Sequence, residues 1–394
     1  MPQTKPSFVT LLMLMSFASV NAVLFTPALP NIADYFAISD DIAQYTVSVF
    51  LIGYALGQLL YGPLANRYGQ KVALSIGVGL QIVASVVCVL SGVFDNFLFL
   101  VIGRFLVALG SGVGLKMTFT LVNEYYEPQA ASQKIAYLML TFAITPGLGV
   151  ALGGLLNSHF GWMSCFIAGA IYGLTLLPLI LKLPKQKAPR DHNALRLCHI
   201  RDNYKVQFKN KSLILGALLM GASTCLVYVF AALAPFIAIN IMGMNSADYG
   251  VANIIPSIGL LIGSLACAQL VKKYALSTLI GVGVLISILG ALILAVTINL
   301  SLSTYFTLFV PMAIIYVGIS FILANASSLA MSNVNDKAHG SALMSFLNMG
   351  LATLVVLSLG YFGQSATLLT VTYMLLSLAM IPIGFYLAKS SHFQ

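Results

Sequence analysis

Residues 62–71 read GPLANRYGQK. Two glycines, a proline and the cations Arg67 and Lys71 separate a pair of long apolar runs, at about 42–62 and 72–92. The pattern predicts a tight turn between two helices that leaves its basic residues in water. Ten further apolar segments occupy about 8–33, 97–120, 134–158, 162–182, 213–239, 249–271, 276–298, 304–332, 340–362 and 366–388. Over 394 residues, 59% are hydrophobic and only 7% charged, with a mean hydropathy of +0.96. A soluble domain carries about 25% charged residues, so this chain lacks the polar surface for water and belongs in a bilayer. Twelve spans of roughly 20 residues need about 240. Each must be helical, because lipid offers no partners to backbone groups.

The net charge of +9 does not indicate nucleic acid, because the basic residues sort by membrane side. With loops counted alternately, Lys5, Arg67, Lys71, Lys134, Lys272, Lys273, Lys337, Lys389 and the basic residues of the polar middle stretch share the side of the N-terminus. Asp34, Asp40, Asp41, Asp95 and Asp248 fall on the other side. The positive-inside rule then makes both termini and the middle loop cytoplasmic. An offset of 206–208 aligns NFLFLVIGRFLVALGSG (96–112) with TYFTLFVPMAIIYVGIS (304–320), and LANRYGQ (64–70) with LVKKYAL (270–276). The expected organisation is two six-helix units, 1–182 and 213–394, joined by a cytoplasmic linker at 183–212. The first apolar run continues past the signal-like Val20-Asn21-Ala22, which predicts an uncleaved first span.

Arg104 and Lys116 are the charged residues expected inside spans. Intramembrane charge costs at least ~2.5–3.5 kcal/mol, so each needs a reason. Arg104 is expected about 12 Å deep in its helix, and Lys116 ~18 Å farther on. Lys116 either faces a cavity or snorkels to the interface. With no carboxylate between 8 and 33 and no embedded acid opposite these cations, the inventory favours an anionic solute. Asn21, Tyr54, Gln58, Tyr228, Asn253, Tyr316, Asn325 and Asn348 are polar residues in spans. They are either solute contacts or helix–helix hydrogen bonds. The candidate binding set is Arg104, Lys116, Asn21, Tyr54, Gln58, Tyr228, Asn325 and Asn348. The scattered cysteines form no CxxC pair, no G-x-x-x-x-G-K-[ST] loop is present, and no catalytic set or metal site is expected.

GPLANRYGQK resembles the loop 2–3 signature G-x-L-a-D-r-x-G-r-k of the major facilitator superfamily. GRFLVALGSGVG (103–114) resembles its fourth-helix arginine motif, and TPGLGVALGG (145–154) the fifth-helix motif of its drug:proton antiporter branch. TPALPNIADYF (26–36) and GWMSCF (161–166) are similar to the Bcr/CflA group within that branch. The resemblance implies a multi-pass secondary transporter of a bacterial inner membrane. It would act as a monomer that exports a small solute by alternating access, with protons as coupling partner and no cofactor. The solute implied by the charge inventory is an organic anion such as a carboxylate metabolite or siderophore. The alternative is a multidrug:proton antiporter for neutral compounds. Gly62, Asn66, Arg67, Gly69, Lys71, Pro146, Gly149, Gly153 and Gly154 then belong to gate and hinge. Asn66 departs from the family, standing in place of an Asp that latches onto a facing helix. Asn keeps the hydrogen-bonding capacity but not the charge. The first-helix carboxylate of the drug-exporting group is absent, so proton coupling falls either to an edge group such as Asp34, Glu124 or His339 or to a proton carried by an anionic solute itself.

Overall fold

The computed structural model describes residues 6–126, 128–183, 204–300, 303–332, 334 and 337–392. The linker expected at 183–212 lies mostly outside them, as does Cys198. The described chain is all helical. The first set of helices is α1 (Phe8–Val23), α2 (Leu29–Tyr35), α3 (Asp40–Tyr68), α4 (Gln70–Val93), α5 (Phe97–Ser111), α6 (Val113–Tyr125), α7 (Pro128–Phe160) and α8 (Met163–Leu181). The second set is α9 (Lys211–Phe236), α10 (Ser246–Ala252), α11 (Ile254–Leu270), α12 (Leu276–Thr297), α13 (Val310–Met331), α14 (Lys337–Leu359) and α15 (Ala366–His392). Among the described residues, eleven helical stretches are long and apolar enough to cross a membrane, some of them joined from two consecutive helices such as α5 and α6. The 33-residue α7 is a further long helix.

The turn expected at 62–71 is much shorter. α3 runs through Gly62 and Pro63 to Tyr68, and α4 starts at Gln70. Gly69 alone makes the reversal, at φ 98° and ψ 153°, a region that is essentially glycine-only. Its N–H still closes on Ala65 O at 2.8 Å. The helix persists because apolar neighbours pack its last turns: Tyr61 and Ala65 are buried. Gly69→Ala is expected to destabilise by about 1–3 kcal/mol, read as a drop in the thermal unfolding temperature in detergent.

TPALP (26–30) breaks the first span. Pro27 and Pro30 have no N–H to donate. Val20 O accepts from Leu24 N–H, and Val23 O from the Thr26 hydroxyl at 2.8 Å. A single 3₁₀ turn, Thr26–Ala28, carries the chain into α2.

The apolar core is continuous between the two sets at the end remote from the termini. There Ala43, Val47 and Phe50 of α3 and Val150 of α7 share one cluster with Phe230, Phe236, Tyr249 and Val356. Towards the termini, Leu11, Leu14, Tyr61, Ala65 and Val122 form a core of the first set alone. Leu213, Ala217, Ala330 and Leu343 form a core of the second set.

Candidate functional site

The fifth-helix motif is a seam between the sets. On one face of α7, Gly154 meets α10: a Cβ built there lies 3.0 Å from Gly250 Cα, and one built on Gly250 lies 2.8 Å from Val150 O. Gly147 packs on Ser257 and on Asn253 O. On another face, Gly149 packs on Val23 and Gly153 on the Leu24 carbonyl. Absent side chains let these backbones approach. Pro146 sits inside α7 and borders a cavity between the sets.

That cavity, about 30 Å³, is lined from the first set by Val23, Thr26, Pro146, Gly147 and Val150. From the second set come Val227, Phe230, Ala231, Tyr249, Asn253, Pro256, Ser257 and Tyr316. The lining carries hydroxyls, an amide and aromatic faces, and no charged side chain. Sites for organic ligands measure about 300–1,000 Å³, so a solute enters only as the sets separate further.

Arg104 lies within the first set. Among the described residues it is the only fully buried charged side chain, at 1% exposure. Its Nη1 donates to Asn21 O at 2.8 Å, satisfying one of the orphan carbonyls at the broken end of α1. The guanidinium sits 3.7 Å from the centre of the Phe25 ring and 4.4 Å from that of Phe50, two cation–π contacts. Nε and Nη2 have no hydrogen-bond partner among the described residues. The adjoining cavity, lined by Asn21, Ser85, Cys165 and Gly169 among others, is about 10 Å³. That is room for no more than about one water. Asn21 itself is held by Gln81, whose Nε2 donates to Asn21 Oδ1 at 2.7 Å, to Ser85 Oγ at 2.9 Å and to Gly169 O at 3.0 Å.

The remaining candidates disperse. Lys116 is half-buried beside Gly62 of α3, where a built Cβ would come within 2.5 Å of its Nζ. The missing side chain makes room for the ammonium. Tyr54 and Gln58 are both buried, one turn apart on α3. Tyr228 lies within electrostatic reach of Arg104. Asn325 donates to Phe321 O at 2.7 Å and to Cys267 Sγ at 3.3 Å, a helix–helix contact. Asn348 is buried, with Oδ1 unpartnered among the described residues. Asn66 is exposed and Arg67 half-buried. Lys71 donates to the Leu181 carbonyl. Asp34 is exposed at the remote end. Glu124 accepts from Gln70, and His339 meets the Tyr204 ring edge-on at 5.4 Å.

Sequence reasoning overlooked Gln81, Tyr249, Ser257 and Gln44. Glutamine, serine and tyrosine in spans are common as packing groups, and only the fold shows which of them meet.

The chain is similar to an uncharacterized transporter of Rickettsia felis, 28% identical over 289 residues, 73% of this chain and 70% of that protein. It is also similar to multidrug resistance protein D of Escherichia coli (strain K12), 23% identical over 380 residues, 95% and 94% of the two chains. Among solved structures, a D-xylose-proton symporter superposes with a TM-score of 0.77 at 14% identity, covering 95% of this chain and 96% of that one, a likeness of fold. The model of the Major Facilitator Superfamily matches residues 9–356. This chain is therefore a transporter, not an enzyme, and it belongs to the Major Facilitator Superfamily.

Proposed function

We propose that the protein is a twelve-span exporter of small, uncharged, amphiphilic organic molecules, working by alternating access in a bacterial inner membrane. It is a monomer of two six-helix halves, 1–182 and 213–394, with the linker 183–212 and both termini in the cytoplasm. Within the superfamily it sits in the drug:proton antiporter branch, near the Bcr/CflA group. The observation that carries this reading is the asymmetry of the core. The halves share one core at the end remote from the termini and keep separate cores at the other. By the Lys/Arg sorting the closed end is periplasmic, so this conformation is shut to the outside, and further separation of the cytoplasmic ends is the step that admits solute.

The solute class follows from the cavity between the halves. Its aromatic, hydroxyl and amide lining desolvates a neutral ring compound at little cost and leaves an ion uncompensated. The sequence inventory favoured an anion because no embedded acid opposes Arg104 and Lys116. The guanidinium is instead stacked on two rings and donates to α1. An anionic solute such as a carboxylate metabolite or siderophore stays as the second reading, because Nε and Nη2 are unpartnered among the described residues.

The test is transport in proteoliposomes of a neutral aromatic probe against its carboxylate analogue. The neutral probe is expected to move faster, and Asn253→Ala is expected to slow it about fivefold, the worth of one hydrogen bond. Preferential movement of the carboxylate, unaffected by Asn253→Ala, would establish the second reading instead. A pH gradient across the same vesicles, with Asp34→Asn, Glu124→Gln and His339→Ala, assigns the proton carrier. Loss of gradient-driven transport with passive exchange retained identifies the residue.

A further inference from the structure

We propose that Gln44, with Gln364 and Asp41, forms a reciprocal helix-end cap between the halves, and that this cap is the catch of the outer gate. α14 ends at Leu359, and its last four carbonyls, of residues 356–359, have no helical donors of their own. Three are closed by a tightening turn: Gly360 N–H donates to Leu357 O, Tyr361 N–H to Ser358 O and Phe362 N–H to Leu359 O, at 3.2, 3.3 and 3.1 Å. The fourth, Val356 O, accepts from Gln44 Nε2 at 2.9 Å. Gln44 belongs to α3 of the other half and is completely buried. The C-terminus of α14 is thus finished by a side chain that leaves when the halves separate.

The exchange runs both ways. α3 starts at Asp40, with Asp40 and Asp41 in its first turn, where carboxylates meet the positive end of the helix dipole. Gln364, just beyond α14, donates to Asp41 Oδ1 at 3.1 Å and to Gln44 Oε1. Asn240, after α9, donates to Asp40 Oδ2 at 3.2 Å. The Tyr45 ring covers Gly360, where a built Cβ would lie 3.3 Å away. A second bridge, Asn157 Nδ2 to Ser246 Oγ at 3.0 Å and to Asn31 Oδ1 at 2.7 Å, ties α7 to α10 nearby.

The consequence is directional. Opening the outer end exposes Val356 O and the Gln44 amide to water, which replaces the lost partners. Closing it buries both groups, and burial is tolerated only if they meet. Gln44 therefore sets the balance between outward-open and outward-closed states without touching solute. It acts as a positioning residue.

The experiment places spin labels at Phe94→Cys and Leu300→Cys, both exposed and on opposite halves at the closed end. Cys88, Cys165, Cys225 and Cys267 are buried, and Cys198 is changed to Ser. The unmodified background should give one dominant short distance. Gln44→Leu should raise the ratio of the long-distance population by about tenfold, the loss of one to two hydrogen bonds. Gln44→Glu should do the same near neutral pH, because a carboxylate only accepts. Acid should restore its short distance, because a protonated carboxyl donates again, while the background measured at both pH values corrects for Asp40 and Asp41. Gln364→Leu, outside the helices, should open the gate even if the Gln44 variants fold poorly. Folded variants whose distance distributions match the background would overturn the proposal. So would a Gln44→Glu variant whose opening does not respond to acid.

Discussion

Replacing Arg104 with Met is expected to abolish transport while leaving the protein folded and about as stable as before. Two effects oppose each other in the stability. Removing a buried charge in favour of an apolar side chain of similar reach is often neutral or stabilising by about 1–4 kcal/mol. Against this, Asn21 O loses its donor, at a cost of about 1–3 kcal/mol. They nearly cancel, so the unfolding temperature should barely move. Transport has no such compensation. The guanidinium pins the end of α1 where TPALP breaks it, and it holds Phe25 and Phe50 face-on. α1 contributes Val23 and the turn that follows it contributes Thr26 to the cavity between the halves, so the lining loses its support. Arg104→Lys should fall between the two, because a point charge does not replace a planar fork packed on two rings. Counterflow in proteoliposomes, alongside thermal unfolding of the same preparations, checks both halves of the statement. A transporting Met variant would reduce Arg104 to a structural pin.

Neighbouring glycines in α7 should fail in different ways when enlarged. Gly154→Val places its methyls against Ser246 O and Gly250 across the seam. Overpacking costs about 1–3 kcal/mol, and the clash exists only while the outer ends are together. The expected result is a folded protein held open to the outside, with the balance moved by about tenfold to a hundredfold. Gly153→Val meets the Leu24 carbonyl within the first half, and that contact does not open during alternation. It should lower stability in every conformation and reduce the yield of folded protein. Labelling of Val150→Cys by a membrane-impermeant thiol reagent separates the cases. Val150 is buried at the seam, and it should become reactive in the Gly154→Val background. If both glycine variants behave alike, the assignment of the two faces is wrong.

Much of this was legible in the residues themselves. The apolar segments had to be helices because lipid offers no other partners to the backbone, and the family match bears out the superfamily to which the stretches at 62–71 and 103–114 pointed. Arg104 was legible as a buried residue with a reason to be there, because charge in a span is too costly to be incidental. The sequence determined the solvent, the helices and the superfamily, since these depend on composition, local periodicity and short motifs.

The tertiary structure decided what those groups do. Arg104 was legible as a cation with no embedded acid opposite it, but a stacked and capping guanidinium cannot be recognised until α1 breaks beside it and two rings pack on it. Lys116 was left between cavity and interface. Its place beside Gly62 depends on how α3 packs on α6. The turn at 62–71 shrank to Gly69, because packing around Tyr61 and Ala65 outweighs the local breaking tendency of Gly62 and Pro63. Gln44 gave no signal at all, since a glutamine one turn into a span is ordinary until a carbonyl 312 residues away needs its amide. Hydrogen-bond satisfaction and close backbone approach are properties of pairs, and the pairs here are joined only by the fold.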